Sequence, residues 1–209
     1  AYGYALPGNY SVKGKSYGIF NSIDPQQKGV PTYNFLSLYN LSDEELSLEV
    51  KTYHVLGEED EEHGYDDIVL SPGERRDYPL GHNFGGEGIR RGLESKDQHT
   101  GLYEVIPSDD NLEYGAILMR YGRKRVSYNN TPEFYYAFPL LAQNGSCDLS
   151  SVPVSTMGGA INYVEVANLS DTAKRIQVEL VTPDRGSQVI DSGDPDNPDI
   201  TIAPRSQYH

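Results

Sequence analysis

An acidic stretch near the end of the sequence carries the side chains best suited to binding a metal ion. Five oxygen donors fall within nine residues, at Asp191, Asp194, Asp196, Asn197 and Asp199. Calcium takes roughly six to eight oxygen ligands, which closely spaced Asp and Asn residues on a tight loop can supply. We therefore predict a calcium site here, and calcium is the one cofactor that the sequence suggests. The alternative is a solvated turn, because the closing glutamate of an EF-hand loop is absent.

Other residue types that support catalysis are present without the spacing that catalysis needs. The histidines are scattered, and none forms a pair at metal-binding spacing: His54, His63, His82, His99 and His209. Cys147 has no local nucleophile signature, and the stretch Gly85–Gly88 lacks the lysine of a phosphate-binding loop. Glu104, Glu113 and Glu133 could supply a glycosidase pair, but any acidic protein offers such carboxylates. We predict that the protein is not an enzyme.

The charge of the chain is strongly negative and unevenly distributed. The net charge of -14 and the pI of about 4.6 argue against nucleic acid as the main partner. No run of about 18 apolar residues occurs, so we predict no membrane span. We predict that a basic cluster and an acidic loop contact each other between subunits, with ordinary solubility as the alternative. These residues are Arg120, Arg123, Lys124 and Arg125 in the cluster, and Glu58, Glu59, Asp60, Glu61 and Glu62 in the loop.

Apolar and polar residues alternate along several segments, as they do in half-buried β-strands. Asn34–Tyr39 and Leu46–Val50 follow this pattern, and the turn Asn40–Asp43 between them predicts a strand pair. Ile68–Leu70 and Arg75–Leu80 flank a Ser-Pro-Gly-Glu turn and are predicted to form a hairpin. The abundance of Gly, Pro and Tyr points the same way. We predict an all-β fold with antiparallel sheets.

The sequence contains an internal repeat. Tyr33–Val50 and Ile161–Val178 align at a constant offset of 128 residues, and both contain Asn-Leu-Ser-Asp. Further on, Asp67–Pro72 is echoed by Asp199–Pro204. Two echoes in the same order indicate two copies of one β module.

The repeat predicts two tandem antiparallel β-sandwich modules, of which the second is incomplete. The predicted boundaries are an N-terminal arm with the first strand at 1–30, a first module at 31–142, a linker at 143–160 and a partial second module at 161–209. The second module has no counterpart of Tyr114–Tyr121 or Phe134–Leu141. Its apolar face is then expected to be exposed unless another chain adds strands. The residues concerned are Val164, Val166, Ile176, Val178 and Ile202.

The N-terminal arm has the alternation that a donated strand needs. Its apolar side chains stand at even positions, at Tyr2, Tyr4, Leu6 and Tyr10. We predict that this arm is the subunit contact that completes the second module of a neighbouring chain. Head-to-tail donation does not close on itself, so it would build an open filament.

The order of these features resembles a known group of proteins. Alternating strands flank the Asn-Leu-Ser-Asp turn, a strand ends in Pro72-Gly73-Glu74, and Ser108-Asp109 precedes the Tyr114–Leu118 strand. This pattern resembles the tandem Ig-like β-sandwich modules of bacterial exported and surface proteins, and is similar to the sensory-rhodopsin-transducer-type β-sandwich. The resemblance covers roughly residues 16–141 and part of 161–209. It implies a binding or scaffolding module.

These features together predict a structural role outside the cytoplasm. A start at Ala1 fits removal of a signal peptide, and the single cysteine rules out an intrachain disulfide. We predict a non-enzymatic structural subunit of an extracellular, cell-surface or periplasmic bacterial assembly, in the form of a homo-oligomer or together with other subunits. The alternative is a carbohydrate- or protein-binding β-sandwich, in which tyrosines such as Tyr135 and Tyr136 would stack on sugars.

Overall fold

The structure is a computed structural model of the chain. It describes residues 10–21, 32–54, 64–80, 100–123, 134–145, 164–182, 184, 186–190 and 199–208. Within them the strands are β1 (Ser16–Asn21), β2 (Thr32–Asn40), β3 (Leu46–His54), β4 (Tyr65–Leu70), β5 (Arg75–Leu80), β6 (Thr100–Pro107), β7 (Tyr114–Arg123), β8 (Phe134–Leu141), β9 (Val166–Asn168), β10 (Lys174–Ile176), β11 (Val178–Thr182), β12 (Gly186–Ile190), β13 (Ile200–Ile202) and β14 (Ser206–Tyr208). The predicted all-β class is confirmed, and among these residues no helix is suited to crossing a membrane.

β1 to β8 form a sandwich of two four-stranded antiparallel sheets, which we call the first sandwich. One sheet has the order β1-β6-β3-β4 and the other β5-β2-β7-β8. The alternation seen in the sequence turns one face of each strand towards the other sheet. The core between the sheets is formed by Val12, Phe20, Leu36, Leu38, Leu46, Leu48, Val50, Ile68, Leu70, Leu80, Tyr103, Val105, Tyr114, Ala116, Leu118 and Ala142.

In the first sandwich, β2 and β3 lie in opposite sheets, and so do β4 and β5. β2 pairs with β5 and β7, whereas β3 pairs with β4 and β6. The predicted pairing of β2 with β3, and the predicted hairpin of β4 and β5, are therefore wrong. Period-two alternation identifies a strand with one buried face, but both sheets bury their faces in the same core. The pattern does not say which sheet a strand joins.

Asn40 joins the two arches that connect these sheets. Its side-chain nitrogen donates hydrogen bonds to the backbone oxygens of Glu44 (2.7 Å) and Leu70 (2.9 Å). Its side-chain oxygen accepts from the backbone nitrogen (3.0 Å) and hydroxyl (2.6 Å) of Ser42. Its backbone nitrogen donates to Glu74 O at 2.9 Å. One buried amide thus ties the β2–β3 arch to the β4–β5 arch.

The second half of the chain repeats this corner. Asn168 donates to the backbone oxygens of Thr172 (2.8 Å) and Ile202 (3.1 Å), and its side-chain oxygen accepts from Ser170. β9 pairs with β14, and β10 with β13, in the places of the β2–β5 and β3–β4 pairs. We call residues 32–80 the first repeat and residues 164–208 the second repeat. The internal repeat read from the sequence is present in the hydrogen bonds themselves.

The tight turn at the base of each repeat also has one backbone geometry. Gly73 has a φ of 74° and Arg205, at the equivalent position, a φ of 50°. The left-handed region favours glycine and costs another residue about 1 kcal/mol. Arg205 has a compensating contact, because its Nε lies 2.9 Å from Asp171 Oδ1.

Two segments outside the predicted first module pack within the first sandwich. The backbones of Val12 and Tyr114 bond to each other at 2.8 and 3.1 Å, and those of Tyr17 and Gln143 at 2.7 and 2.9 Å. The segment before β1 and the segment after β8 therefore cross from one sheet to the other at the same edge. The described residues of the predicted arm and linker belong structurally to the first sandwich.

Candidate functional site

The second repeat packs on the outer face of the β1-β6-β3-β4 sheet. On β6, Tyr103 and Val105 point into the core, so the neighbouring Glu104 points to the other face. β14 lies against β6, and the guanidinium carbon of Arg205 is 5.7 Å from the centre of the Tyr53 ring on that outer face. We call this contact the seam.

Glu104 is the buried charge at the centre of the seam. Its side chain is 3% exposed. One carboxylate oxygen accepts a hydrogen bond from Lys15 Nζ at 3.1 Å, and the other accepts one from the Tyr53 hydroxyl at 2.9 Å. Burial alone would raise its pKa, but these hydrogen bonds and the charges of Lys15 and Arg205 outweigh burial and lower the pKa below its ordinary value. Glu104 is therefore held as a carboxylate and serves as an acceptor within the seam.

Arg120 and Glu165 form a second charged contact between the first sandwich and the second repeat. Two parallel contacts join them, Nη1–Oε1 at 3.0 Å and Nη2–Oε2 at 3.2 Å. Arg120 Nε also donates to Asn34 Oδ1 at 3.2 Å. The two side chains are only 9% and 14% exposed. Such a two-pronged pair fixes geometry as well as charge, so it orients the second repeat on the first sandwich.

Two of the predicted subunit-contact residues bond within their own chain. Arg120 pairs with Glu165, and the Tyr10 hydroxyl donates to the backbone oxygens of Ala116 (2.9 Å) and Ala142 (2.7 Å). Burial raises the pKa of Tyr10 to about 12. Arg123 lies on β7, but its side chain is outside the described part. The other predicted contacts lie outside the described residues, and the subunit role of the whole set stays a prediction: Tyr2, Tyr4, Leu6, Glu58, Glu59, Asp60, Glu61, Glu62, Lys124 and Arg125.

The predicted calcium ligands are described at one position. Asp199 Oδ2 lies 2.8 Å from Arg175 Nη2, so this carboxylate is part of an ion pair. Asp171, which is not among the predicted ligands, forms an ion pair with Arg205. The remaining predicted ligands, at 191, 194, 196 and 197, lie outside the described residues. In the part of the chain that the structure describes, no group of three or more Asp, Glu, His or Cys side chains could hold a metal ion. The calcium site stays a prediction.

The interior of the second repeat is closed on one side and open on the other. Ile200 and Ile202 are buried, as Ile68 and Leu70 are in the first repeat. The expectation that Ile202 is exposed is therefore wrong, because the Asn168 corner closes over it. On the other side Val164 is 39% exposed, whereas Leu36 at the equivalent position is fully buried.

The opening in the second repeat corresponds to two edges that are covered in the first repeat. β2 carries β7 on its second edge, and β3 carries β6. No described strand pairs with the second edge of β9 or of β10. We call these edges and their apolar face the open half-core. Its half-buried or exposed side chains are Val164, Val166, Ile176, Val178 and Tyr208.

The seam was not anticipated from the sequence. In the sequence, Glu104 is one of several carboxylates and Arg120 is one member of a basic cluster. The charges of the second repeat that act on them, Arg205 and Glu165, are distant in sequence, so no local spacing marks either contact. Tyr135 and Tyr136, considered for sugar stacking, lie on β8, but their side chains are outside the described part.

Comparison with known proteins does not assign this architecture. No family model and no curated protein matches the chain. A crystal structure of Thermotoga maritima 1070 is 12% identical, covers 63% of this chain and 94% of its own, and superposes with a TM-score of 0.38. That similarity is too low to carry an argument about family or function, so the resemblance read from the sequence stays a prediction.

Proposed function

We propose that the protein is a non-enzymatic structural subunit of an exported bacterial assembly and that it associates through the open half-core. One observation carries the proposal: the second repeat has the same hydrogen-bonded corner as the first but lacks described strands on the edges that β7 and β6 cover. Apolar side chains next to unpaired backbone groups favour strand addition.

The exposed surface of the second repeat supports this role. Val181 is 70% exposed and Val189 is 45% exposed, on the hairpin of β11 and β12. Glu179 and Val181 share one face of β11, and Val189 pairs opposite Glu179, so both valines lie on one face. A two-stranded hairpin is marginal in water without further packing. A neighbouring chain would stabilise it.

The seam supports a rigid presentation of this surface. The Arg120–Glu165 pair and the contact of Arg205 with Tyr53 hold the second repeat on a first sandwich that has its own complete core. Self-association then costs little ordering entropy, because the binding surface is already positioned. The exported location rests on the sequence alone, on the acidic composition and the single cysteine.

Sedimentation equilibrium over a range of concentrations tests the proposal. We expect the full chain to associate reversibly and Val164→Glu to weaken the association. The matched control is Val69→Glu on β4 of the first sandwich, because Val69 is 38% exposed and Val164 is 39% exposed. A monomer at every concentration, or equal weakening by both variants, would contradict association through the open half-core.

A further inference from the structure

Three neighbouring strands of the first sandwich bring together two tyrosines and a carboxylate on the outer face of one sheet. Tyr17 on β1 is the direct cross-strand neighbour of Glu104 on β6. Tyr53 on β3 lies opposite Leu102, which is two residues from Glu104 on the same face. The Tyr53 hydroxyl donates a hydrogen bond to Glu104 at 2.9 Å. We call Tyr17, Tyr53 and Glu104 the tyrosine–carboxylate site.

The group that lies against this site is the guanidinium of Arg205. Its central carbon is 5.7 Å from the centre of the Tyr53 ring, within the range of a cation–π contact. Its charge acts on the Glu104 carboxylate. The Tyr17 hydroxyl interacts with both charges: burial and Glu104 raise the pKa of Tyr17, and a hydrogen bond with Arg205 opposes this rise. Lys15 also contacts Glu104, at 3.1 Å, but the Lys15 side chain is 52% exposed and that of Arg205 only 23%.

The turn that carries Arg205 does not itself favour an arginine. Its φ of 50° lies in the left-handed region, where the first repeat has Gly73. Arg205 Nε pairs with Asp171 of the same repeat at 2.9 Å, but the Asp171 side chain is 84% exposed, and exposed ion pairs contribute little to stability. The contact with the tyrosine–carboxylate site therefore explains an arginine at this position better than the turn does.

The contact of Arg205 with the site is incompletely hydrogen-bonded. Among the described residues, Arg205 Nη1 and both polar side-chain atoms of Gln207 on β14 are buried without a hydrogen-bond partner. Burial of polar groups without partners disfavours the docked state of the second repeat. A separate ligand can orient its guanidinium freely and does not bury Gln207. Such a ligand can therefore compete with Arg205.

We propose that the tyrosine–carboxylate site binds guanidinium groups and that Arg205 occupies it as an internal ligand. The class of ligand is the arginine side chain of a peptide or a partner protein. Its planar guanidinium can bond to a carboxylate and stack on an aromatic ring at once, which the ammonium group of lysine cannot do equally well. This inference goes beyond the proposed function, because it concerns the outer face of the first sandwich and not the open half-core.

A second arginine has the same kinds of partner without the burial. The guanidinium carbon of Arg75 is 5.3 Å from the centre of the Tyr39 ring, and Arg75 pairs with Asp77 at 3.0 Å. The side chains of Arg75 and Asp77 are 51% and 45% exposed, whereas that of Glu104 is 3% exposed. Because water screens an exposed pair, we expect ligand binding at Glu104 and not at Asp77. Arg75 thus provides a matched control.

Titration of the full chain with N-acetylarginine methylamide tests this proposal, with NMR of the Tyr53 ring as the measure of occupancy. Arg205→Gly removes the internal ligand and introduces the residue that the left-handed turn favours; Arg205→Ala is the second variant. We expect both variants to bind the probe about 10-fold more tightly than the unmodified chain, because Arg205 competes at a high effective concentration. The corresponding lysine derivative should bind more weakly.

Two further variants distinguish this site from non-specific binding. Glu104→Gln, combined with Arg205→Gly, should abolish saturable binding of the probe. Arg75→Ala should bind the probe as the unmodified chain does, and its Tyr39 ring should show no saturable shift. Circular dichroism checks that each variant keeps the fold.

Tighter binding in both Arg205 variants, a preference for arginine over lysine, and loss of binding with Glu104→Gln support the proposal. Equal affinity in the Arg205 variants and the unmodified chain would overturn it, because Arg205 would then not occupy the site. Equal binding of the lysine derivative, or binding that persists with Glu104→Gln, would also overturn it.

Discussion

Asn40 and Asn168 make the same hydrogen bonds, yet Leu36 and Val164, which are equivalent in the two repeats, lie in different surroundings. Leu36 is fully buried between two sheets, and Val164 is 39% exposed beside an edge with which no described strand pairs. The corner depends on residues within a few positions of the asparagine and on one adjacent arch. The core depends on β6 and β7, which come from a later part of the chain.

The two repeats therefore share the hydrogen-bonded corner but differ in how far their apolar side chains are buried. The Asn-Leu-Ser-Asp turn and the arch to which its asparagine bonds are both part of the repeat, so the same corner forms twice. An apolar stripe needs partner strands to bury it, and the repeat does not include them. The second repeat is therefore held by the seam and by the corner more than by a core of its own.

Truncation of the equivalent apolar residues should show the largest difference between the repeats. Leu36→Ala removes a fully buried side chain and should lower the free energy of unfolding by about 2–5 kcal/mol. Val164→Ala, measured on the monomer, should change it by less than about 0.5 kcal/mol. Urea denaturation of both variants measures these values. Equal losses would mean that Val164 belongs to a core as complete as that of the first sandwich.

Removal of the corner amide should have the next largest effect. Asn40→Ala leaves the backbone oxygens of Glu44 and Leu70 without this donor and should cost about 2 kcal/mol of global stability. Asn168→Ala breaks the equivalent bonds in the less densely packed repeat. We expect it to increase amide hydrogen exchange across β9, β13 and β14 with little change in global unfolding. A global loss as large as that of Asn40→Ala would contradict the contrast between the repeats.

Neutralising the pair that joins the second repeat to the first sandwich should release the second repeat selectively. Glu165→Gln leaves the Arg120 guanidinium, 9% exposed, without its carboxylate partner. We expect faster proteolysis within 164–208 and an unchanged rate within β2 to β7. Glu113→Gln is the control, since Glu113 forms an exposed pair with Lys13 at 3.2 Å. If residues 164–208 of Glu165→Gln are cleaved no faster than those of the unmodified chain, the ion pair does not stabilise the contact between the second repeat and the first sandwich.

Acidification should weaken the seam by a smaller amount. The pKa of Glu104 is lower in the folded chain than its ordinary value of 4.5. Its contribution to stability is therefore complete above that value and is lost as the pH falls through the lower folded pKa. The free energy of unfolding, followed from about pH 6 to about pH 3, should fall less steeply in Glu104→Gln than in the unmodified chain. If the free energy of unfolding falls equally steeply with pH in both chains, Glu104 does not contribute to the pH dependence.

The sequence predicted the strands of the first sandwich and the duplication, because alternation and the Asn-Leu-Ser-Asp turn are local patterns. It did not predict that β2 and β3, or β4 and β5, lie in opposite sheets, since the two arrangements bury the same residues. Nor did it mark the seam. Arg205, whose charge acts on Glu104, and Glu165, which pairs with Arg120, both come from the second repeat, and a charged residue carries no sign of its distant partner.

The sequence by itself determined the all-β class, the two copies of one corner, and which face of each strand is apolar. These follow from short-range periodicity and from a turn sequence that occurs twice together with the arch that it bonds to. Only the tertiary structure decided which copy has a complete core, how the second repeat sits on the first sandwich, and which charges are buried in the seam. Those outcomes depend on contacts between residues far apart in the chain. Such contacts form, and contribute to stability, only when folding brings the strands together.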